Sequence, residues 1–228
     1  LGLVMRTGMI VEGNPIPSEA RAFVAPEAMP PIEGRRVYSG QFTSQILSEM
    51  VADGAIPRNL IDLRQGRFTS ETGQIELNAS RKSLKVVTPR SEAVLGEPGT
   101  QLSGDFATIK IEGAFGAVYV ASHDSRPLSE SRRILICHLT DLKSDGMRFL
   151  DRGMSVVGDW GSDTMLMKRG GAEIVLKCDP AMKLYACSTT GGRLFAIPVR
   201  AAGAGAIAFT ARNFVDGQPV CVYELVAE

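Results

Sequence analysis

Three adjacent polar residues have the side-chain types of a hydrolase triad: His123, Asp124 and Ser125. A triad works only when its nucleophile, base and orienting acid converge in space. Neighbouring residues of a strand point to opposite faces, so these three side chains cannot form a relay with one another. The sequence also has no G-x-S-x-G segment, the turn that presents the nucleophile in α/β-hydrolases. We therefore interpret the trio as a polar strand end that runs into a turn at Ser125–Pro127, and we predict no catalytic residue.

The sequence lacks the usual spacings of metal ligands. His123 and His138 stand in no H-x-H or H-E-x-x-H pattern, and no D-x-D-x-D-G loop occurs. His138 lies inside an apolar run, and we expect it to be a structural or solvent-facing residue at a sheet face. The sequence therefore predicts no metal site.

The four cysteines form no C-x-x-C pair, so neither a zinc ribbon nor a redox motif is indicated. Three of them lie in apolar runs and are predicted to be buried free thiols: Cys137, Cys187 and Cys221. A Cys178–Cys187 disulfide between neighbouring strands is the alternative. The cysteines leave the redox compartment open.

The segment Gly203–Ala208 matches the dinucleotide fingerprint G-x-G-x-x-A. A dinucleotide site needs a helix directly after the glycines and then a further strand. Here the polar stretch Asn213–Pro219 follows at once, and only nine residues come after it. We therefore predict a glycine-rich hairpin turn and no cofactor.

Contact with a sugar remains open, because the apolar face of a sugar stacks on an aromatic ring. The candidate carbohydrate contacts are Trp160, Asp159 and Tyr38. Trp160 is the only tryptophan, and a sole tryptophan is normally largely buried. We therefore favour a Trp160 that packs onto the domain over one that forms an exposed platform. Three further tyrosines lie in strand-like runs and are expected to be core or half-buried: Tyr119, Tyr185 and Tyr223.

The composition excludes two classes of main partner. Lys plus Arg and Asp plus Glu both number 25, so the net charge is zero. Nucleic acids and anionic membranes select basic surfaces, so we predict neither as the main partner. No apolar run approaches the about 20 residues that a membrane span needs. The 228 residues, 44% of them hydrophobic, suffice for one large β domain.

Glycine-interrupted pairs of β-rich runs predict three hairpins: 106–112 with 117–122, 164–168 with 172–177, and 183–187 with 193–199. Turn signals recur at about 8–12-residue spacing, which favours a sandwich or barrel, and no helical pattern separates the strands. The predicted fold is all-β: an antiparallel, jelly-roll-like β-sandwich with one short peripheral helix.

The predicted organisation is a single module over 1–228. Within it, residues 12–66 form a proline-rich wrap and the short helix, at about 43–53, and lead into the main sandwich at 67–228. The chain begins at Leu1 without a signal-peptide pattern, and we expect a fragment or a processed chain.

Five segments occur in an order that resembles a known family: Ser70–Ile75, Lys85–Arg90, Arg133–Cys137, Gly158–Gly161 and Val222–Leu225. The order is similar to that in the C-terminal β-sandwich region of large bacterial proteins related to TIM-barrel glycoside hydrolases. In those proteins an S-D-T-G-E/Q-I segment leads into a strand ending in T-P-R, a Trp-Gly segment follows, and a W-Y-E-like strand closes the sandwich. The resemblance covers about residues 65–228.

The resemblance implies a non-catalytic accessory domain, because in such proteins the catalytic acids lie in the barrel. Its partner would be an upstream catalytic domain of the same polypeptide, with a polysaccharide or oligosaccharide as a further partner. The chain departs from the pattern at Glu71, where Asp is usual, and at Val222, where Trp is usual. Two alternatives stay open: an independent carbohydrate-binding module and a stand-alone hydrolase on a sandwich fold. The location is unknown, and the resemblance implies a secreted or periplasmic parent.

Overall fold

Short runs with alternating buried and half-buried residues form the strands of this protein, as in the six-residue run Gly171–Leu176. The computed structural model describes Ser48, Val51, Ala52, Gly54 and residues 56–228. The chain divides into two compact units, Leu1–Ser80 and Arg81–Glu228. The predicted single module with its wrap over 12–66 stays a prediction.

The first unit contains three short strands: β1 (Ile61–Asp62), β2 (Arg67–Thr69) and β3 (Ile75–Asn78). They pair antiparallel in chain order, with Ile61 opposite Phe68 and Phe68 opposite Leu77. Ser48, Val51 and Ala52 are helical, and the rest of the helix predicted at 43–53 lies outside the described residues. Within the described part of the chain, no helix is long and apolar enough to cross a membrane.

The second unit contains the other strands of the described residues. In chain order they are β4 (Ser83–Thr88), β5 (Ser91–Gly96), β6 (Gln101–Ser103), β7 (Ala107–Glu112), β8 (Gly116–Ser122), β9 (Arg133–Leu139), β10 (Leu142–Ser144), β11 (Arg148–Phe149), β12 (Val157–Asp159), β13 (Met165–Met167), β14 (Gly171–Leu176), β15 (Lys183–Cys187), β16 (Arg193–Ile197), β17 (Arg200–Ala201), β18 (Ile207–Arg212), β19 (Phe214–Val215), β20 (Gln218–Pro219) and β21 (Val222–Val226).

Two antiparallel sheets of the second unit form a sandwich. The first sheet has the order β4-β5-β8-β9-β21-β15-β16, and the second has the order β17-β18-β14-β7-β6. The apolar residues that alternate along the strands of both sheets form one buried cluster, to which Val120, Ile136 and Tyr223 contribute from the first sheet and Ile109 and Ile174 from the second. The predicted all-β, antiparallel β-sandwich is therefore confirmed.

One of the three predicted hairpins is confirmed. Strands β15 and β16 pair antiparallel, with Tyr185 opposite Ala196. The other two predictions are wrong, because β7 pairs with β6 and β14, β8 pairs with β5 and β9, and β13 pairs with β10. The glycine turn at Gly113, with φ +76°, carries the chain from one sheet to the other. A glycine turn specifies a chain reversal, and it does not specify that the two flanking strands share a sheet.

Candidate functional site

Residues 139–168 run from the last residue of β9 almost to the start of β14, and we call this segment the apolar arm. It consists of two short antiparallel ribbons, β10 with β13 and β11 with β12. Of the thirteen large hydrophobic side chains exposed among the described residues, eight belong to the arm. They are Leu139, Leu142, Leu150, Met154, Val156, Trp160, Met165 and Leu166. Single exposed hydrophobic residues are ordinary on a protein surface, and eight within thirty residues make the arm a candidate interaction surface.

Hydrogen bonds within the arm hold its loops in shape. The Asp151 carboxylate accepts hydrogen bonds from the Ser155 N–H at 3.0 Å and from the Val156 N–H at 2.8 Å. These bonds, with a third from the Ser155 hydroxyl, lower the pKa of Asp151. Leu150 donates its N–H to the Val156 carbonyl at 2.9 Å. The exposure of the apolar side chains is therefore a feature of an ordered segment.

Two of the predicted carbohydrate contacts lie side by side at the end of β12. Trp160 is 72% exposed, so the interpretation that it packs onto the domain is wrong. The reason is local, since a two-stranded ribbon offers the indole no second layer to pack against. Asp159 pairs with Arg148 at 3.2 Å and accepts the Gly161 N–H at 3.0 Å. Tyr38 lies outside the described residues, and sugar contact by any of the three stays a prediction.

The trio at 123–125 is the polar strand end that the sequence predicts. The Asp124 carboxylate accepts hydrogen bonds from the Arg132 N–H and the Ser131 hydroxyl, both at 2.8 Å, and from the Ser122 hydroxyl at 2.9 Å. Desolvation alone would raise the pKa of Asp124, but these hydrogen bonds outweigh it and hold the pKa well below its usual range. The carboxylate therefore organises a turn.

His138 lies on the inner face of the first sheet and is fully buried. Neither ring nitrogen has a hydrogen-bond partner among the described residues. Burial lowers the pKa of His138 to about 4, so the ring is neutral at pH 7. Across the described part of the chain, no group of three or more His, Cys, Asp or Glu residues is placed to hold a metal ion.

The glycine segment 203–208 is the predicted hairpin turn. It joins β17 to β18, with Ala201 opposite Ile207, and the Ala202 N–H donates to the Ala206 carbonyl at 3.0 Å. Gly203 and Gly205 both have positive φ angles, which glycine adopts without steric cost. A strand follows the glycines where a dinucleotide site requires a helix.

The cysteines are free, including Cys178 and Cys187 of the alternative disulfide. Cys187 is buried, and Cys137 and Cys221 are half-buried, so the prediction of buried thiols is met fully by the first alone. Desolvation raises the pKa of each thiol, that of Cys178 to about 11. Thiols of this kind are weak nucleophiles at neutral pH.

The outer face of the first sheet carries a crevice of about 200 Å³ that the sequence does not predict. Its principal lining residues come from four separate segments: His123, Arg133, Leu135, Cys187, Val222 and Glu224. Glu224 is 7% exposed and lies in β21, between Tyr223 and Leu225, which point into the core. The sequence offers one indication of this site, a glutamate within the apolar last strand. The arginine partners of Glu224 are distant in sequence, so the sequence does not indicate them.

Two arginines hold Glu224 in the crevice. The Nε of Arg133 donates to Glu224 Oε1 at 2.6 Å, and the Nε of Arg193 donates to Oε2 at 2.7 Å. Desolvation raises the pKa of Glu224, but both arginines oppose it and lower the pKa overall. Arg193 also lies over the ring of Tyr185, 4.3 Å from its centre. The carboxylate is therefore ionised and fixed at pH 7.

The crevice brings together a cysteine, a histidine and a glutamate, the residue types of a cysteine hydrolase. Cys187 instead contacts the Tyr185 carbonyl at 3.9 Å, and burial raises its pKa. Both oxygens of Glu224 accept arginine hydrogen bonds, so the carboxylate is not aimed at His123. The arrangement lacks the nucleophile–base hydrogen bond of such enzymes.

No family model matches the chain, and neither the curated proteins nor the solved structures include a significant match to it.

Proposed function

We propose that this chain is a non-catalytic β-sandwich domain of a glycoside-hydrolase-like protein and that it packs against the catalytic domain through the apolar arm. The observation that carries the proposal is the concentration of eight exposed large hydrophobic side chains in residues 139–168. The order of the five segments from Ser70–Ile75 to Val222–Leu225 resembles that in the accessory sandwich of such proteins, and this resemblance suggests the catalytic domain as the partner.

The energetics favour a covered arm. A fully buried aliphatic or aromatic side chain contributes about 1.5–3 kcal/mol relative to an exposed one. The arm side chains are 50–76% exposed, so burial of four of them would contribute about half of the full value, about 3–7 kcal/mol before the costs of association. The arm also carries charged side chains such as Lys143, Arg148 and Asp159, which suit the polar rim of an interface.

The titratable groups of the second unit support a non-catalytic role. Asp124 organises a turn, His138 is enclosed by the core, and the ionised Glu224 is paired with two arginines. Each of these three groups therefore has contacts that fit a structural role and lacks the arrangement of a catalytic acid, base or nucleophile.

The test is to express this chain and the domain encoded upstream of it as separate polypeptides and to measure their binding by light scattering and calorimetry. Leu150→Ser with Leu166→Ser should weaken binding at least tenfold, because both leucines are exposed on the arm. The matched control is Phe115→Ser with Leu194→Ser, which removes two exposed apolar side chains outside the arm. The absence of an upstream domain, or equal effects of the two double variants, would refute the proposal.

The exposure of Trp160 favours a second candidate, an independent carbohydrate-binding module. Trp160 is the only tryptophan, so its fluorescence reports on the arm alone. A glycan that binds there should shift this fluorescence, and Trp160→Ala should abolish binding without a change in stability. Binding of the upstream domain, with no fluorescence response of the isolated chain to any glycan of a plant and host panel, would leave the docking role and remove the binding module.

A further inference from the structure

We infer that the crevice on the outer face of the first sheet binds a single neutral sugar ring, either free or at the end of a glycan. Its floor comes from three neighbouring strands, with Leu135 on β9, Val222 on β21 and Cys187 on β15. The register places Cys187 opposite Val222 and Glu224 opposite Leu135. A sugar ring has an apolar C–H face, and this floor offers it an apolar surface of matching kind.

The polar groups at the crevice suit hydroxyl groups. Arg133 uses its Nε for Glu224, and its two terminal NH₂ groups make no hydrogen bond to the described residues. The ring of the exposed His123 is likewise without a described partner. Each oxygen of Glu224 accepts one hydrogen bond and keeps capacity for another. Because a hydroxyl both donates and accepts, adjacent donors and a carboxylate acceptor fit a polyol.

The charges argue for a neutral ligand. Arg133 and Arg193 pair with Glu224, and Arg193 also lies near Glu228, so the charges around the crevice balance and favour neither an anion nor a cation. A purely apolar ligand would cover Arg133 and leave its terminal NH₂ groups without partners, which costs free energy. A neutral ring with hydroxyls on its rim matches the balanced charge and gives these NH₂ groups partners.

The site is preorganised and small. Glu224 is fixed by Arg133 and Arg193, and Arg193 is itself held over Tyr185, so little ordering remains to be done on binding. Drug-sized ligands occupy pockets of about 300–1,000 Å³. The volume of about 200 Å³ suits a smaller ligand of about one sugar ring. An open site of this size predicts a Kd on the order of 1 mM.

The experiment is a titration with methyl glycosides of glucose, galactose, mannose and xylose, each to about 50 mM, well above the expected Kd. Methyl resonances of Leu135 and Val222 should shift on binding, and glycerol serves as the small-polyol control. To decide whether the ligand is a free monosaccharide or the end of a glycan, the affinities of both methyl anomers are compared with that of the matching oligosaccharide. Tighter binding of the oligosaccharide identifies a glycan end, and equal affinity identifies the free sugar.

Variants assign the binding to the crevice. Val222→Phe fills the floor and should reduce affinity at least tenfold, and His123→Ala should reduce it about fivefold through one lost hydrogen bond. The control Val175→Phe enlarges a half-buried residue of β14 in the second sheet and should leave affinity unchanged. Circular dichroism confirms that each variant is folded.

The inference fails if no glycoside of the panel binds, or if Val222→Phe leaves the affinity unchanged. Loss of sugar binding in Trp160→Ala with retention in Val222→Phe would also overturn it, since the sugar would then lie on the apolar arm. None of the crevice residues belongs to 139–168, so this inference and the docking role can fail separately.

Discussion

Glu92 and Ala107 lie on different sheets of the sandwich, and the Ala107 N–H donates a hydrogen bond of 2.7 Å to the Glu92 carboxylate. The Phe106 N–H donates to the other oxygen at 2.8 Å. Glu92 is fully buried, and desolvation raises its pKa although these backbone hydrogen bonds oppose the shift. A Cβ at Gly104 would collide with this carboxylate. One buried carboxylate therefore ties the sheets together, and a nearby glycine leaves it room.

This relationship predicts that Gly104→Ala lowers the free energy of unfolding by about 1–3 kcal/mol, because the methyl group overlaps a fixed carboxylate. Glu92→Ala should cost about as much, since it leaves buried N–H groups unpaired. In the Glu92→Ala background, Gly104→Ala should cost much less. Urea unfolding of the wild type, the two single variants and the double variant should therefore show a coupling free energy between the two positions. Gly192→Ala is the control, because its Cβ would make only an ordinary contact with Ser188. Strict additivity would contradict the proposed overlap.

His138 predicts a dependence of stability on pH. The pKa falls from 6.5 in the unfolded chain to about 4 in the buried ring, so the unfolded state binds more protons between these values. The contribution of His138 is thus complete above about pH 6.5 and is lost as the pH falls towards 4. Linkage gives a loss of about 2 kcal/mol between pH 7.5 and pH 5, measured by urea unfolding.

The comparison that isolates this effect uses the two histidines of the chain. His138→Leu should flatten the pH dependence over that range, because the apolar side chain does not titrate. His123→Leu should keep the wild-type slope, since His123 is exposed. The raised pKa of Glu92 acts in the opposite direction below neutral pH and is common to all three proteins. An unchanged slope in His138→Leu would show that another group carries the dependence.

The sequence predicts local features of this fold well, because they depend on neighbouring residues. The alternation of apolar residues predicts the strands, and glycine turns such as 203–205 predict chain reversals. The pairing of strands depends on which sheet each one joins, so the sequence predicts one hairpin for β7 and β8 although they lie in different sheets. Local pattern does not encode that choice.

The candidate sites show the same limit. The sequence predicts a packed Trp160 because a sole tryptophan is usually buried, but the ribbon that carries it has no covering layer. The crevice joins His123, Arg133, Cys187 and Glu224, which span about a hundred residues of sequence. Their approach follows from the order β9-β21-β15 within the first sheet. Sequence motifs are defined by residues at short fixed spacings, so they do not indicate such a site.

A pair of facing glycines in the apolar arm allows the proposed docking surface to be tested apart from the sandwich. Gly146 and Gly161 both have positive φ angles, +78° and +73°. A Cβ at Gly161 would collide with the Asp145 carbonyl and lie 2.6 Å from the Met147 nitrogen. A Cβ at Gly146 would meet only the Cα of Gly161, at 3.8 Å. The two positions therefore share the backbone cost of an alanine but differ in the clash.

We predict that Gly161→Ala disrupts the arm and that Gly146→Ala costs only about 1–2 kcal/mol of local backbone strain. The reporters are two amides: the Asp145 N–H donates to the Thr164 carbonyl at 2.7 Å, and the Ser162 N–H donates to the Asp145 carbonyl at 2.8 Å. Hydrogen exchange of both should accelerate at least tenfold more in Gly161→Ala than in Gly146→Ala, while the core strand β14 keeps its protection. Binding to the upstream domain should weaken in the same order, because the arm is its proposed contact. Equal exchange in the two variants would mean that the close approach of the main chains at Gly161 does not hold the arm in shape.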